Sequence, residues 1–236
     1  MRRIASIIVF ALLFHVSFAF EVKDIVVANV SMEQGLSHHS VHTIWQDEFG
    51  FIWIGTLDGL NRYDGRRFKV FKPDEGDPDS ITENNIRYIC GDHKGHLYIK
   101  GLNSLSEFDM RTQKFRLMLE DGVKSVFHDG WRLWISDTQS LSVYDEESGT
   151  FKEVFSFPQK EMPDVAINTF IIGKDGRQYV STGSHGVFVV NDKGNIVRHL
   201  NVTNSSSLLQ DSNGNVWIST LDRGVCVLMR DGMVPF

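Results

Sequence analysis

The chain has 236 residues, 42% hydrophobic and 23% charged, which excludes a collagen, a coiled coil or bulk disorder and leaves one large globular domain or two small ones. Its 24 Lys plus Arg stand against 30 Asp plus Glu, a formal charge of -6, so the basic excess of a nucleic-acid-binding surface is missing. Only two cysteines occur, Cys90 and Cys226, too few and too far apart for a disulfide framework or a Cys-based metal site; both read as buried thiols.

The first element is a targeting segment. Met1-Arg2-Arg3 is a cationic start, Ile4 to Phe14 is almost wholly apolar, and Ser17-Phe18-Ala19 places small residues before a cut after residue 19. The apolar run is shorter than the ~20 residues that span a bilayer, so residues 1–19 read as a secretory signal peptide rather than an anchor. Removing them leaves 22 cationic against 30 acidic side chains, a net charge of -8 on an exported chain.

From residue 20 onward the chain repeats itself. Gln46-Asp47-Glu48-Phe49-Gly50-Phe51-Ile52-Trp53-Ile54-Gly55-Thr56 returns as Gln210-Asp211-Ser212-Asn213-Gly214-Asn215-Val216-Trp217-Ile218-Ser219-Thr220. Between them lie three looser copies around Tyr98, Trp134 and Tyr179. The aromatic anchors Trp53, Tyr98, Trp134, Tyr179 and Trp217 are spaced 45, 36, 45 and 38 residues apart, a period that implies propeller blades. Each unit reads as a strand such as Val41 to Gln46, a turn, a strand around the anchor, a short loop, a strand such as Leu60 to Tyr63, and an outer strand around a residue such as Phe68. Four short strands make one blade, and no helical periodicity of 12 or more residues interrupts them. The fold class is therefore all-β, a β-propeller over residues 20–236 with about five four-stranded blades.

Hairpin chemistry explains the phrase. An Asp accepts backbone N–H bonds two residues on and a Gly three residues later takes positive φ, so Asp-x-x-Gly closes a tight turn. The aromatic three residues past the Gly then packs between neighbouring sheets, because one blade cannot bury both its faces. Asp47, Gly50, Trp53, Tyr98, Trp134, Tyr179, Asp211, Gly214 and Trp217 are thus scaffold.

Little catalytic or metal chemistry is legible. His38-His39-x-x-His42 and the pair His93 and His96 sit at strand entries or turns, where solvated or hydrogen-bonded histidines are the ordinary outcome, so neither a metal nor a cofactor is expected. No pair of carboxylates is marked out for glycoside hydrolysis. Binding is the remaining role, and the loops between second and third strands, at residues 57–59, 102–104, 137–140, 183–186 and 221–224, should gather at one end. There Asn103, Gln139, His185, Asp222 and Arg223 offer donors and acceptors suited to sugar hydroxyls.

The run from Gln34-Gly35-Leu36-Ser37 through Asp47, Gly50-Phe51-Ile52-Trp53-Ile54-Gly55-Thr56, Asp58-Gly59-Leu60-Asn61-Arg62-Tyr63-Asp64-Gly65 and Phe68 resembles the two-component regulator propeller. The resemblance implies the periplasmic sensor region of a hybrid two-component histidine kinase of the Bacteroidetes type, in which propellers precede an immunoglobulin-like module, a membrane helix and a kinase. It implies a glycan-derived oligosaccharide or other small ligand, no catalysis in this stretch, and a membrane connection only through C-terminal segments beyond Phe236. A free-standing exported propeller that holds a protein or polysaccharide partner is the alternative, and a glycan-cleaving propeller the third. The family's propeller has about seven blades, so five read as an incomplete arc whose last blade has three strands and the start of a fourth, with open edges that favour self-association. In a competing closed ring of five, Val22 to Val30 would complete the last blade.

Overall fold

The computed structural model describes residues 29–229 and 232–235. The chain divides into units 1–30 and 31–236, and the blades belong to the second. Residues 1–19, expected from the sequence to be a signal peptide, and residues 22–28 of the competing closed ring lie outside the described residues.

Among the described residues, twenty strands form five antiparallel sheets of four, each in simple meander order. The first blade is β1 (Val41–Gln46), β2 (Ile52–Thr56), β3 (Gly59–Tyr63) and β4 (Phe68–Phe71). The second is β5 (Tyr88–Gly91), β6 (His96–Lys100), β7 (Leu105–Asp109) and β8 (Lys114–Leu119). β9 (Ser125–His128), β10 (Leu133–Ser136), β11 (Ser140–Asp145) and β12 (Thr150–Ser156) make the third. β13 (Ile167–Ile172), β14 (Gln178–Thr182), β15 (Gly186–Val190) and β16 (Ile196–Leu200) make the fourth. The fifth is β17 (Ser205–Gln210), β18 (Val216–Thr220), β19 (Gly224–Met229) and β20 (Gly232–Pro235). The fifth blade has its fourth strand at 232–235, where three strands and the start of a fourth were expected from the sequence. Cys226 is half-buried rather than buried, at the margin of the apolar cluster between blades four and five; Cys90 is buried as expected.

Packing runs in sequence, β1 on β5, β5 on β9, β9 on β13 and β13 on β17, so the first strand of every blade is the inner one. Among the described residues no comparable packing joins β17 to β1.

The repeat phrase does more than close a turn. In the first blade Asp47 Oδ1 accepts the Phe49 and Phe51 amides at 3.0 and 2.9 Å, and Oδ2 accepts the Trp53 indole N–H at 2.7 Å. Gly50 sits at φ +85°, where a side chain would be strained. The Asp thus ties the turn to the aromatic that fills the next interface. Asp129 repeats this with Trp134 at 2.7 Å, and Asp211 with Trp217 at 3.0 Å. Where the anchor is tyrosine the arrangement changes: Asp92 Oδ2 meets His96 Nδ1 at 2.9 Å, and Asp175 Oδ2 accepts the Tyr179 hydroxyl at 3.3 Å.

Four apolar clusters lie one at each blade interface. Trp53, only 1% exposed, packs with Ile81, Ile86, Leu97, Phe108 and Phe115 between blades one and two. Trp134 packs with Phe157, Val165, Phe170 and Phe188 between blades three and four. Both clusters recruit apolar side chains from long connectors, 72–87 and 157–166. The tyrosine interfaces, between blades two and three and between four and five, have short connectors, 120–124 and 201–204, which add only Val123 and Val202. Each fully buried aromatic is worth several kcal/mol of hydrophobic and dispersion stabilisation, so these interfaces bind the blades into one body.

Candidate functional site

The loops between second and third strands stand where the sequence places them, but most of their polar groups are already engaged. Asp58 accepts Lys72 Nζ at 2.6 Å and Asn84 Nδ2 at 3.1 Å, both from the following connector. Gln139 donates to the Pro163 and Val165 carbonyls at 3.0 and 3.3 Å. Asp222 accepts Asn204 Nδ2 at 3.1 Å, and Arg223 reaches Asp222 at 3.5 Å and Thr203 Oγ1 at 3.2 Å. Three of the five chosen side chains, Gln139, Asp222 and Arg223, therefore brace a loop against an inter-blade connector. The His185 side chain meets only its neighbour Ser184 at 2.8 Å, although its carbonyl lies 2.5 Å from His199 Nε2, and the Asn103 side chain stays in solvent while its amide is held by Glu83. No hydrogen bond joins any two of these five residues from different blades.

Nothing in the sequence marks Glu83, yet it organises that loop. Its carboxylate accepts the Leu102, Asn103 and Ser104 amides at 2.6 to 3.3 Å. Burial opposes its charge, but these amide bonds outweigh that cost and hold its pKa below the usual carboxylate value. A glutamate in a connector rich in Asp, Asn and Pro carries no spacing signal that would single it out.

The opposite end, formed by the turns between first and second strands, holds two clefts, both at tyrosine interfaces. The first lies between blades two and three, is about 560 Å3, and is lined by Asp92, Lys94, His96, Tyr98, Glu107, His128, Trp131, Arg132, Leu133, Tyr144 and Glu146. The second lies between blades four and five, is about 500 Å3, and is lined by groups that include Lys174, Asp175, Arg177, Tyr179, Arg198 and Gln210. Tyrosine is narrower than tryptophan, so the outer part of the interface stays open at this end.

Electrostatics in the first cleft are set by pairing. Burial works against ionisation of Asp92, but the His96 and Lys94 amides and the His96 ring hold its pKa down. Burial likewise opposes the His96 imidazolium, but Asp92 raises its pKa overall. His128 is shifted the other way, mainly by burial, and stays neutral. Its Nδ1 accepts the Gly130 amide at 3.1 Å, so the proton sits on Nε2, and its ring stacks on Tyr98 at 5.7 Å. Burial raises the Tyr98 pKa, which keeps it a phenol.

Among the described residues no cluster of three or more His, Cys, Asp or Glu has metal-binding geometry. His38 Nδ1 accepts the Ser40 amide at 3.0 Å, His42 Nδ1 lies 3.0 Å from the Ile86 carbonyl, and His96 serves Asp92. No helix among the described residues is long and apolar enough to cross a membrane.

Five meander sheets packed through their inner strands define a β-propeller. Its repeats are of a known kind: a family model described as two component regulator propeller matches residues 199–222, which run from the end of β16 through β17 and β18 with Trp217. A protein named histidine kinase P4 from Formosa agariphila is 38% identical over 77 residues, which is 33% of this chain and 6% of that protein. Among solved structures, the extracellular domain assigned to a hybrid two-component system of B. thetaiotaomicron superposes with a TM-score of 0.74 at 24% identity, over 86% of this chain and 30% of that one. A second extracellular domain from B. thetaiotaomicron, assigned to a one-component system, gives 0.59 at 17% identity, over 83% of this chain and 33% of that one. At these identities the likeness is one of fold, and the chain spans about a third of the length of either domain.

Proposed function

We propose that this chain is part of the exported, ligand-sensing propeller of a two-component signalling protein, located in the periplasm, responding to glycan-derived oligosaccharides and carrying out no chemistry on them. The observation that carries the reading is the two component regulator repeat at residues 199–222, set in a fold shared with extracellular domains assigned to such systems. A propeller suits sensing because rigid blades hold ligand groups while the ends stay open to solvent. The cationic and apolar residues 2–14 support export. At the loop end, His185 and Arg223 are the side chains with most reach, Arg223 only after leaving Thr203 and Asp222.

The test is genetic. Deleting the reading frame that contains this chain should abolish transcriptional induction by one polysaccharide while leaving responses to others intact. Full induction by every polysaccharide in the deletion strain would dismiss the reading. Fractionation of cells producing a tagged chain should place it in the osmotic-shock fluid; a cytosolic pool with an uncut N-terminus would dismiss export. Self-association through open blade edges belongs to the same reading, and sedimentation at rising concentration would register it.

A further inference from the structure

We propose that the cleft between blades two and three is a binding site for a neutral saccharide, with Trp131 as its stacking platform. Trp131 is 82% exposed at the tip of the β9–β10 turn, an unusual place for a large apolar ring on a surface that buries every other blade-anchoring indole wholly or in part. The third-blade phrase is one residue shorter than the first: Asp129 to Trp134 spans five positions where Asp47 to Trp53 spans six. The Asp129 carboxylate accepts the Trp131 and Arg132 amides, both at 2.8 Å, so the backbone that carries the indole is held in place. Lys94, from the facing turn of blade two, lies 5.5 Å from the ring centroid.

Below the indole the cleft offers both kinds of hydrogen-bonding group. The Tyr98 hydroxyl lines it and has no hydrogen bond to another described residue, and the neutral His128 presents a donor at Nε2. Glu146 and Lys94 are exposed at its rim, while Glu107 is bound to Arg116 at 2.7 Å. Opposite charges nearly cancel, since Asp92, Glu107 and Glu146 face Lys94, Arg132 and a His96 whose proton Asp92 favours. A flat exposed indole beside mixed, nearly balanced donors and acceptors fits the apolar C–H face and the hydroxyl rim of an uncharged sugar ring. The cleft between blades four and five differs: Lys174, Arg177 and Arg198 outnumber Asp175 and no exposed aromatic lines it, so it lacks the platform.

The assignment rests on the sensing reading above for its ligand's role. Calorimetry on the full chain would use five neutral trisaccharides, built of glucose, galactose, mannose, xylose and N-acetylglucosamine, and a galacturonic acid trimer as the charged comparison. At least one neutral trisaccharide should bind, and Trp131→Ala should weaken it by about tenfold or more, with Tyr98→Phe giving a smaller loss. Leu221→Ala, an exposed apolar residue at the opposite end, should change nothing. Binding that survives Trp131→Ala but fails in a His185→Ala, Arg223→Ala double variant would overturn the cleft and leave the sensing reading standing. Binding of the galacturonic trimer alone overturns the neutral-ligand assignment. No binding of any trisaccharide overturns the cleft, and the deletion strain then decides the sensing reading by itself.

Discussion

Two kinds of blade interface alternate along this chain. At the first and third, a tryptophan held by an aspartate fills the space between sheets, and a long connector adds further apolar side chains; at the second and fourth, a tyrosine stands in that place, the connector is short, and a cleft remains. The same repeat therefore makes both a seal and an opening, depending on the aromatic at its centre. Close packing and open clefts are divided between interfaces rather than between domains.

The comparison is most easily broken at Trp53. Trp53→Ala should cost roughly 3 to 5 kcal/mol, as a fully buried aromatic truncation that leaves a cavity; a urea midpoint equal to the parent's would show that the tryptophan interfaces are not the seals. Asp47→Ala should cost less, roughly 2 to 3 kcal/mol, because it orphans the indole N–H and two turn amides without removing the ring. The corresponding Asp92→Ala should cost clearly less than Asp47→Ala, since its side-chain partner His96 is partly exposed. Equal losses in the two variants would erase the distinction. The tyrosines themselves should separate: Tyr179→Phe loses the bond to Asp175, about 1 kcal/mol, whereas Tyr98→Phe stays within about 0.5 kcal/mol. Thermal unfolding of the pair in one buffer would order them.

The smallest effect concerns acid. Donation from the Trp217 indole and the Asn215 amide group holds the Asp211 carboxyl at about 2, below the ~3.9 of an unfolded aspartate. A folded pKa below the unfolded one contributes stability that is present above about 4 and is lost as pH falls towards about 2. Asp211→Asn should therefore flatten the acid limb of the stability curve in that window; a limb of unchanged slope would remove Asp211 from the account.

Much of the fold was legible because the repeat phrase is self-consistent. Asp47, Gly50 and Trp53 each have one physical job, and the copies around Trp134 and Trp217 repeat it with the same bonds. The start of a fourth strand in the last blade was expected, but its extent was not legible because 224–236 contains no aromatic-Asp phrase to mark it. The site was less legible. Choosing Asn103, Gln139, His185, Asp222 and Arg223 required their side chains to be free, and three of them are spent on bracing connectors that lie far away in sequence. The cleft arises between two blades, so no single stretch encodes it. The available signal was the second tryptophan in Asp129-Gly130-Trp131-Arg132-Leu133-Trp134, one more than a blade needs for its core.

The spacing of 45, 36, 45 and 38 residues between anchors has a further meaning once the interfaces are known. Blades one and two, and blades three and four, form doublets, each closed inside by a tryptophan and joined to its neighbour across a tyrosine. The doublet is then the repeating unit of the packing. Gaining or losing a whole doublet keeps every seal facing a matching surface.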